Sequence, residues 1–439
     1  MGIFDENVEE IKPVKEKEEK VDELINIKDE DQEFSNNVDE LISDDMFTMH
    51  KKAKVRPKLD REKKYDMIPK MTQQFRFCGN PFRIDSYKGC DFGCKYCFAN
   101  ASNLLGRKGW QTGDIARLER FMSRALDKDE KGNYLCETNS LSMECVRHGV
   151  PFHCGGLSDP FQEREWELGI TYRLLQLSNK YSYPILFSTK GIIKDEKYWK
   201  VLDPKLHAFQ LSLISKDTEF LKQFETNTAS AEERIAFARE LHRRGFWVAI
   251  RIQPCIDIEK AMELVEEISG DVDYITVEHL KIDIGNDMIK ELFSKQLASG
   301  DYHRISTMLF EMDTEKKIKD VEKIKSISKC PIGVGDNDLH YMSDSDCCCG
   351  VDTIGPAFDN WIKYNLTYLA KHSNENNEKL WTPKQGCSEC FFKGSFGNKV
   401  KADDIKNLDF RQYVAEYCRR HPEFMKRKEE FVFDIFKED

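Results

Sequence analysis

The stretch GCDFGCKYCFAN, Gly89 to Asn100, sets Cys90, Cys94 and Cys97 with three and then two residues between them. Three thiolates on one short loop hold three irons of a [4Fe–4S] cube and leave the fourth iron without a protein ligand, open to a small molecule. The competing reading is part of a zinc knuckle, which pairs one CxxC with another or with a His pair. An open iron points to chemistry rather than electron storage. Gly89 and Gly93 suit a loop that wraps closely around a cluster.

Around this run lies a chain of 439 residues, 40% hydrophobic and 33% charged, long enough for one large domain with appendages or for two. No apolar stretch approaches the ~20 residues that span a bilayer, and the start is acidic, so neither export nor a membrane span is expected. Fifteen cysteines without an export signal imply a reducing, cytoplasmic setting in which thiols serve metals or chemistry. Residues 1–50 hold 17 Asp and Glu against 5 Lys and Arg, which accounts for the formal charge of −11 and leaves the remainder near neutral. Bulk charge thus argues neither for nor against nucleic acid.

Residues 1–47 are dense in Glu, Asp and Lys and poor in aromatics, the composition of a disordered acidic tail. VDELI occurs there twice, at Val21–Ile25 and Val38–Ile42, as a solvated tail or as a bivalent docking motif for a protein partner. A basic linker, 48–74, follows; its KKAKVRPKLDREKK run (Lys51–Lys64) suits phosphates or solvent equally.

From about residue 75 short apolar runs alternate with amphipathic segments, the pattern of β/α units on a parallel sheet. Strands are expected at Val150–Cys154, Tyr183–Thr189, Ala208–Ile214, Trp247–Ile252 and Tyr274–Val277. Ser230 and Glu233 form a capping-box pattern ahead of Ile235, Ala238 and Leu241, with Gly245 at the expected stop. Asp257 precedes a second helix bearing Ile258, Met262, Val265 and Ile268 on one side. Right-handed β/α repetition curls into a barrel or partial barrel whose site gathers at the C-terminal strand ends. Those ends carry HCGGLSDPFQERE (His153–Glu165), with Gly155, Gly156, Ser158 and Asp159, then Ser188, Thr189 and Lys190, then Ser212.

The order GCxxGCxYCFA, SDPFQ, STKG, a helix containing Arg234 and then IQP resembles the spore photoproduct lyase-like group of radical S-adenosylmethionine (SAM) proteins, over about residues 75–280. The resemblance implies a partial (β/α)6 TIM-like barrel over 75–285, with the cluster loop after the first strand. It also implies a [4Fe–4S] cluster on Cys90, Cys94 and Cys97, and SAM contacts from Gly155, Gly156, Ser158, Lys190 and Ser212, with Tyr96 near the adenine. Reduction of the cluster calls for a reductase or a flavodoxin or ferredoxin donor. The group's hydrogen-relaying tyrosine is Phe98 here, which has no O–H, while Cys154 stands near the place of its hydrogen-donating cysteine. The same barrel hosts many reactions. A nucleic-acid substrate, in repair or base modification, is the first expectation. Peptide modification and a non-catalytic iron–sulfur scaffold or regulatory protein are the alternatives.

Past the barrel, residues 286–439 form a cysteine-rich extension. Cys347, Cys348 and Cys349 precede Gly350, and Cys387 and Cys390 form a CxxC, with Cys330 also at hand. Cys348, Cys349, Cys387 and Cys390 supply a second iron–sulfur cluster or, alternatively, a structural zinc. Three adjacent thiols do not readily face one metal, so one of Cys347 and Cys348 is expected to point elsewhere.

Overall fold

The computed structural model describes residues 59–72, 78–101, 110–137, 140–336, 338–362 and 368, with the side chains of 59–63, 100, 101 and 141 left aside. The acidic tail with its VDELI repeats, most of the basic run, and Cys387 and Cys390 lie outside the described residues.

One sheet organises the described chain. Its strands are β1 (Lys70–Met71), β2 (Phe82–Ile84), β3 (Phe152–Cys154), β4 (Ile185–Thr189), β5 (His207–Ser212), β6 (Val248–Cys255), β7 (Tyr274–His279) and β8 (Ile332–Val334). They lie side by side in chain order. From β2 to β8 every pairing is parallel, and β1 adds an antiparallel edge. The five expected strands all form, with ends shifted by a few residues. The sheet also continues past residue 285, where the barrel was expected to end. After β7 the chain makes a small antiparallel sheet (Lys281–Asp283, Tyr302–Arg304, Leu309–Met312) and the helix Thr314–Ile327, then returns as β8. β8 escaped the periodicity reading because Ile332–Val334 is three residues long, with Gly333 at its centre.

Alternation along each strand divides the sheet into two faces. Phe187, Phe209, Leu211, Ile250, Ile252, Ile275 and Val277 share the main core with helix residues such as Leu174, Ile235, Leu241, Leu264 and Ile324. Burying each such side chain contributes about 1.5–3 kcal/mol. The helices start as the sequence indicates. Ser230 and Glu233 make the reciprocal capping box of Ala231–Arg243, and Asp257 accepts from the Glu259 and Lys260 amides at the head of Ile258–Ile268. Gly245 follows the first of these helices at φ +85°.

The opposite face is filled by the chain itself. Leu186, Ala208, Trp247, Ala249 and Tyr274 pack against Cys347, Val351, Phe358 and Ile362, an apolar floor laid by the segment after β8. Trp247 Nε1 donates to Thr353 Oγ1 at 3.0 Å, and the Tyr274 hydroxyl lies 2.7 Å from Ser345 Oγ. Gly350 is a required glycine: its φ is +67°, and a Cβ there would stand 2.7 Å from the Tyr274 ring. No described helix is long and apolar enough to cross a membrane.

Candidate functional site

The cluster loop leaves the rim after β2 and the short strand Tyr87–Lys88, ending at the helix Phe98–Ala101. Segments that follow two strands on either side of β4 hold it. From the β3 side, Gln162 accepts from the Asp91 amide at 3.1 Å and donates to the Gly89 carbonyl at 3.3 Å, and Arg164 Nε meets Asp91 Oδ1 at 3.2 Å. From the β5 side, the Lys95 amide donates to Phe224 O at 2.8 Å, and Asn227 Nδ2 to Asp91 O at 2.8 Å. The sequence reading quoted Gln162 only as a motif letter and passed over Asn227. Nothing in a local pattern shows that their amides close on a loop so far back in the chain.

Cys94 is buried, and Cys90 and Cys97 are partly exposed. Burial pushes the Cys94 thiol up to about 12, against the pull of Lys190, and raises Cys90 further. Lys190 lies at the end of β4, its Nζ 5.5 Å from the centre of the Tyr96 ring. Burial pulls that ammonium down, but the charges of Cys94, Glu225 and Cys97 outweigh it and raise its pKa. The Tyr96 hydroxyl donates to Glu225 Oε1, and Arg234 Nη2 meets Glu225 Oε2 at 2.6 Å. Burial alone would raise Glu225; Arg234 and then Lys190 reverse it and hold the carboxyl below its ordinary value. Arg234 also donates to the Ser212 carbonyl at 2.7 Å. Tyr96, Lys190, Ser212 and the thiols thus belong to one network whose hub, Glu225, the sequence did not single out. Its signal was slight: a lone Glu ahead of an Arg-bearing helix.

The remaining expected contacts are placed by packing. A Cβ on Gly155, whose φ is +103°, would lie 2.0 Å from the Ser188 carbonyl oxygen, and one on Gly156 would lie 2.4 Å from Arg83 Cδ. The Gly-Gly turn is therefore demanded by its protein neighbours. Ser158 is buried, with its hydroxyl given to the Tyr87 carbonyl at 2.6 Å. Asp159 accepts from Thr189 Oγ1 at 2.6 Å and from the Lys190 amide at 2.6 Å, tying two strand ends together. Cys154 corrects an expectation. It is fully buried in the helix-facing core, its Sγ 3.9 Å from Ser86 Oγ, so it does not present a thiol to the concave face. Its neighbour His153 has that outlook.

On the concave face a polar layer runs across the strands. His153 Nε2 lies 2.8 Å from Ser188 Oγ, which donates to Gln210 Oε1 at 3.2 Å. Arg251 donates to Ser188 Oγ at 3.3 Å and to Gln253 Oε1, both neutral partners, and Gln253 passes a bond on to Glu278. Burial, then the charge of Arg251, hold His153 down at about 4. Beneath this layer Cys347 and Cys349 stand 3.4 Å apart, Sγ to Sγ. Cys78, from ahead of β2, and Cys348 lie close enough to Cys349 to interact with it electrostatically. Of the three adjacent thiols, Cys347 and Cys349 are the pair in contact, and Cys78, absent from the expected ligand set, lies nearby. Cys330 lies apart from this bonding, with its Sγ 3.7 Å from Ser328 Oγ.

The triad on the rim offers three thiol donors, and no described cysteine is in a disulfide. Among the described residues no three Cys, His, Asp or Glu side chains stand together as a metal site.

No family model matches the chain, and no curated protein matches it. Among solved structures it is similar to spore photoproduct lyase complexed with dinucleoside spore photoproduct, at 15% identity over 58% of this chain and 77% of that one, with a TM-score of 0.40. A mutant of that lyase with bound AdoMet and the same dinucleoside matches at 15% identity over the same shares, with a TM-score of 0.41. Streptococcus suis SuiB bound to S-adenosylmethionine matches at 16% identity, covering 50% of this chain and 48% of that one, with a TM-score of 0.34.

Proposed function

We propose that the chain is a radical SAM enzyme acting on a nucleic acid. The observation that carries the reading is the grouping, on one rim of a parallel β/α sheet, of three cysteine thiols in CX3CX2C spacing with Lys190, Tyr96 and the buried Glu225–Arg234 pair. A [4Fe–4S] cluster on Cys90, Cys94 and Cys97, with SAM at its open iron, would supply a 5′-deoxyadenosyl radical by reductive cleavage.

The chain's own residues prepare that place. Lys190 brings a positive charge to the thiolates. Glu225 and Arg234 fix the Tyr96 ring, and Gln162, Arg164 and Asn227 hold the loop backbone. Arg251 and Arg83 bring positive charge to the concave side, and Arg251 spends its bonds on neutral partners, which favours an anionic substrate such as a phosphodiester. A flavodoxin, a ferredoxin or a reductase is the proposed electron source.

The test is anaerobic reconstitution and reduction, with 5′-deoxyadenosine and methionine measured in the presence of oligonucleotides and, separately, of peptides. Full turnover by the Cys90→Ala/Cys94→Ala/Cys97→Ala protein would defeat the radical SAM reading. Product formed from peptides alone would defeat the nucleic-acid reading.

A further inference from the structure

Cys78 and the run Cys347–Cys349 come from opposite ends of the described sheet, yet Cys347 and Cys349 stand 3.4 Å apart, Sγ to Sγ, and the turn that carries Cys78 packs on Cys347. Rigid parts of the fold hold them there. Thr276 Oγ1 donates to the Cys348 carbonyl at 2.9 Å, and Gln210 Nε2 to the Cys349 carbonyl at 3.0 Å. A Cβ on Gly79 would lie 2.8 Å from Cys347 Sγ, so the Cys78 turn is pressed directly against the run. Four thiols gathered in a buried place without a disulfide are an unusual use of cysteine for packing alone.

We propose that Cys78, Cys347, Cys348 and Cys349 are the four ligands of a thiophilic metal centre on the concave face of the sheet. As thiols, Cys347 and Cys349 are in hydrogen-bonding contact, and no three of the four yet surround a common point. Metal binding deprotonates thiols and removes that bond. Tetrahedral ligation with bonds of about 2.3 Å sets sulfurs about 3.8 Å apart. The Cys347–Cys349 pair, at 3.4 Å, is within a small side-chain adjustment of that spacing. The centre would join the segment ahead of β2 to the segment after β8 and lie beneath the His153–Ser188–Gln210 layer.

The proposal does not depend on the rim cluster, and its test removes that cluster. The full-length Cys90→Ala/Cys94→Ala/Cys97→Ala protein, freed of metal, is titrated anaerobically with Co²⁺ and, in a second arm, with Fe²⁺ and sulfide. Cobalt is expected to give a thiolate charge-transfer band saturating near one equivalent. Growth of iron–sulfur absorption in the second arm identifies a polynuclear centre, and cobalt binding alone identifies a single-ion site. Adding Cys387→Ser/Cys390→Ser is expected to leave the signal intact, and adding Cys78→Ser to weaken binding by more than about 100-fold, beyond what outer-shell changes do. No signal in either arm, loss of the signal with Cys387→Ser/Cys390→Ser, or full binding by Cys78→Ser overturns the proposal. Should circular dichroism show Cys78→Ser to be unfolded, the Cys387→Ser/Cys390→Ser result decides alone.

Discussion

The rim and the concave floor each gather cysteines beside basic and polar groups, but the two places treat charge in opposite ways. At the rim one set of charges holds against burial: Lys190 is raised by Cys94 and Glu225, and Glu225 is lowered by Arg234 and Lys190, even though burial raises the Cys90 and Cys94 thiols beside them. On the concave face burial prevails. His153 is held near 4, the Glu278 carboxyl is pushed up, and Cys78, Cys347 and Cys348 are all raised, with only Cys349 pulled down by its three thiol neighbours. At the rim opposite charges in contact hold one another ionised, whereas on the concave face burial outweighs even the Glu278–Lys281 ion pair, at 3.0 Å, and raises Glu278. The rim is therefore built for a charged ligand. The floor is built for neutral thiols until something takes their protons.

The largest effect that tests this contrast is on SAM cleavage. Cys94→Ala is expected to reduce 5′-deoxyadenosine formation below detection, while Cys349→Ser leaves it measurable. Equal loss in both would erase the distinction between the two thiol groups. Next in size is stability. Glu225→Gln leaves Arg234 buried without a carboxylate, with side-chain exposures of 0% and 1% in the native pair, and is expected to cost about 3–5 kcal/mol in denaturant unfolding. The double variant Glu225→Gln/Arg234→Met should recover part of that, and no recovery would mean that the pair matters for reasons other than its charge. On the concave side Gln210→Leu strands the Cys349 carbonyl and removes one of the three partners of the Ser188 hydroxyl, a neutral loss of about 1–3 kcal/mol. A cost equal to that of Glu225→Gln would show that the neutral layer is held as tightly as the ion pair.

How much of this was legible in the sequence follows from how local each signal was. The five main strands, the capping box at Ser230 and the cap at Asp257 are written within a few residues of themselves, and the structure has each of them. Gly155 and Gly156 were equally visible, but local pattern could not tell a ligand approach from the protein neighbours that demand them. Glu225 and Cys78 were not legible as site residues, because each acquires its role only when a distant element closes on it: Arg234 and Tyr96 in one case, Cys349 in the other. Cys154 misled for the complementary reason. Its position along the strand was right, but strand alternation gives the concave face to His153 and the helix-facing core to Cys154.

The smallest expected effect is on the acid limb of stability, and His153 supplies it. Its folded pKa, about 4, lies below the ordinary histidine value, with burial the main cause and Arg251 the next. The unfolded chain therefore takes up a proton near pH 6.5 while the folded chain stays neutral, so His153 supports folding above that pH. That support falls away as pH drops from about 6.5 toward 4. The ring is only partly buried, so solvent screening reduces the effect to about 1 kcal/mol. His153→Gln, which has no titrating group, is expected to flatten the loss of urea stability between pH 6.5 and 4 by that amount relative to wild type. Lys190 works in the other direction, since its raised pKa gives support that is lost only as pH climbs through the lysine range. Lys190→Met should therefore leave the slope between pH 6.5 and 4 close to that of wild type. If Lys190→Met flattened the acid limb as much as His153→Gln, the opposite handling of charge by rim and floor would fail as an account of this molecule.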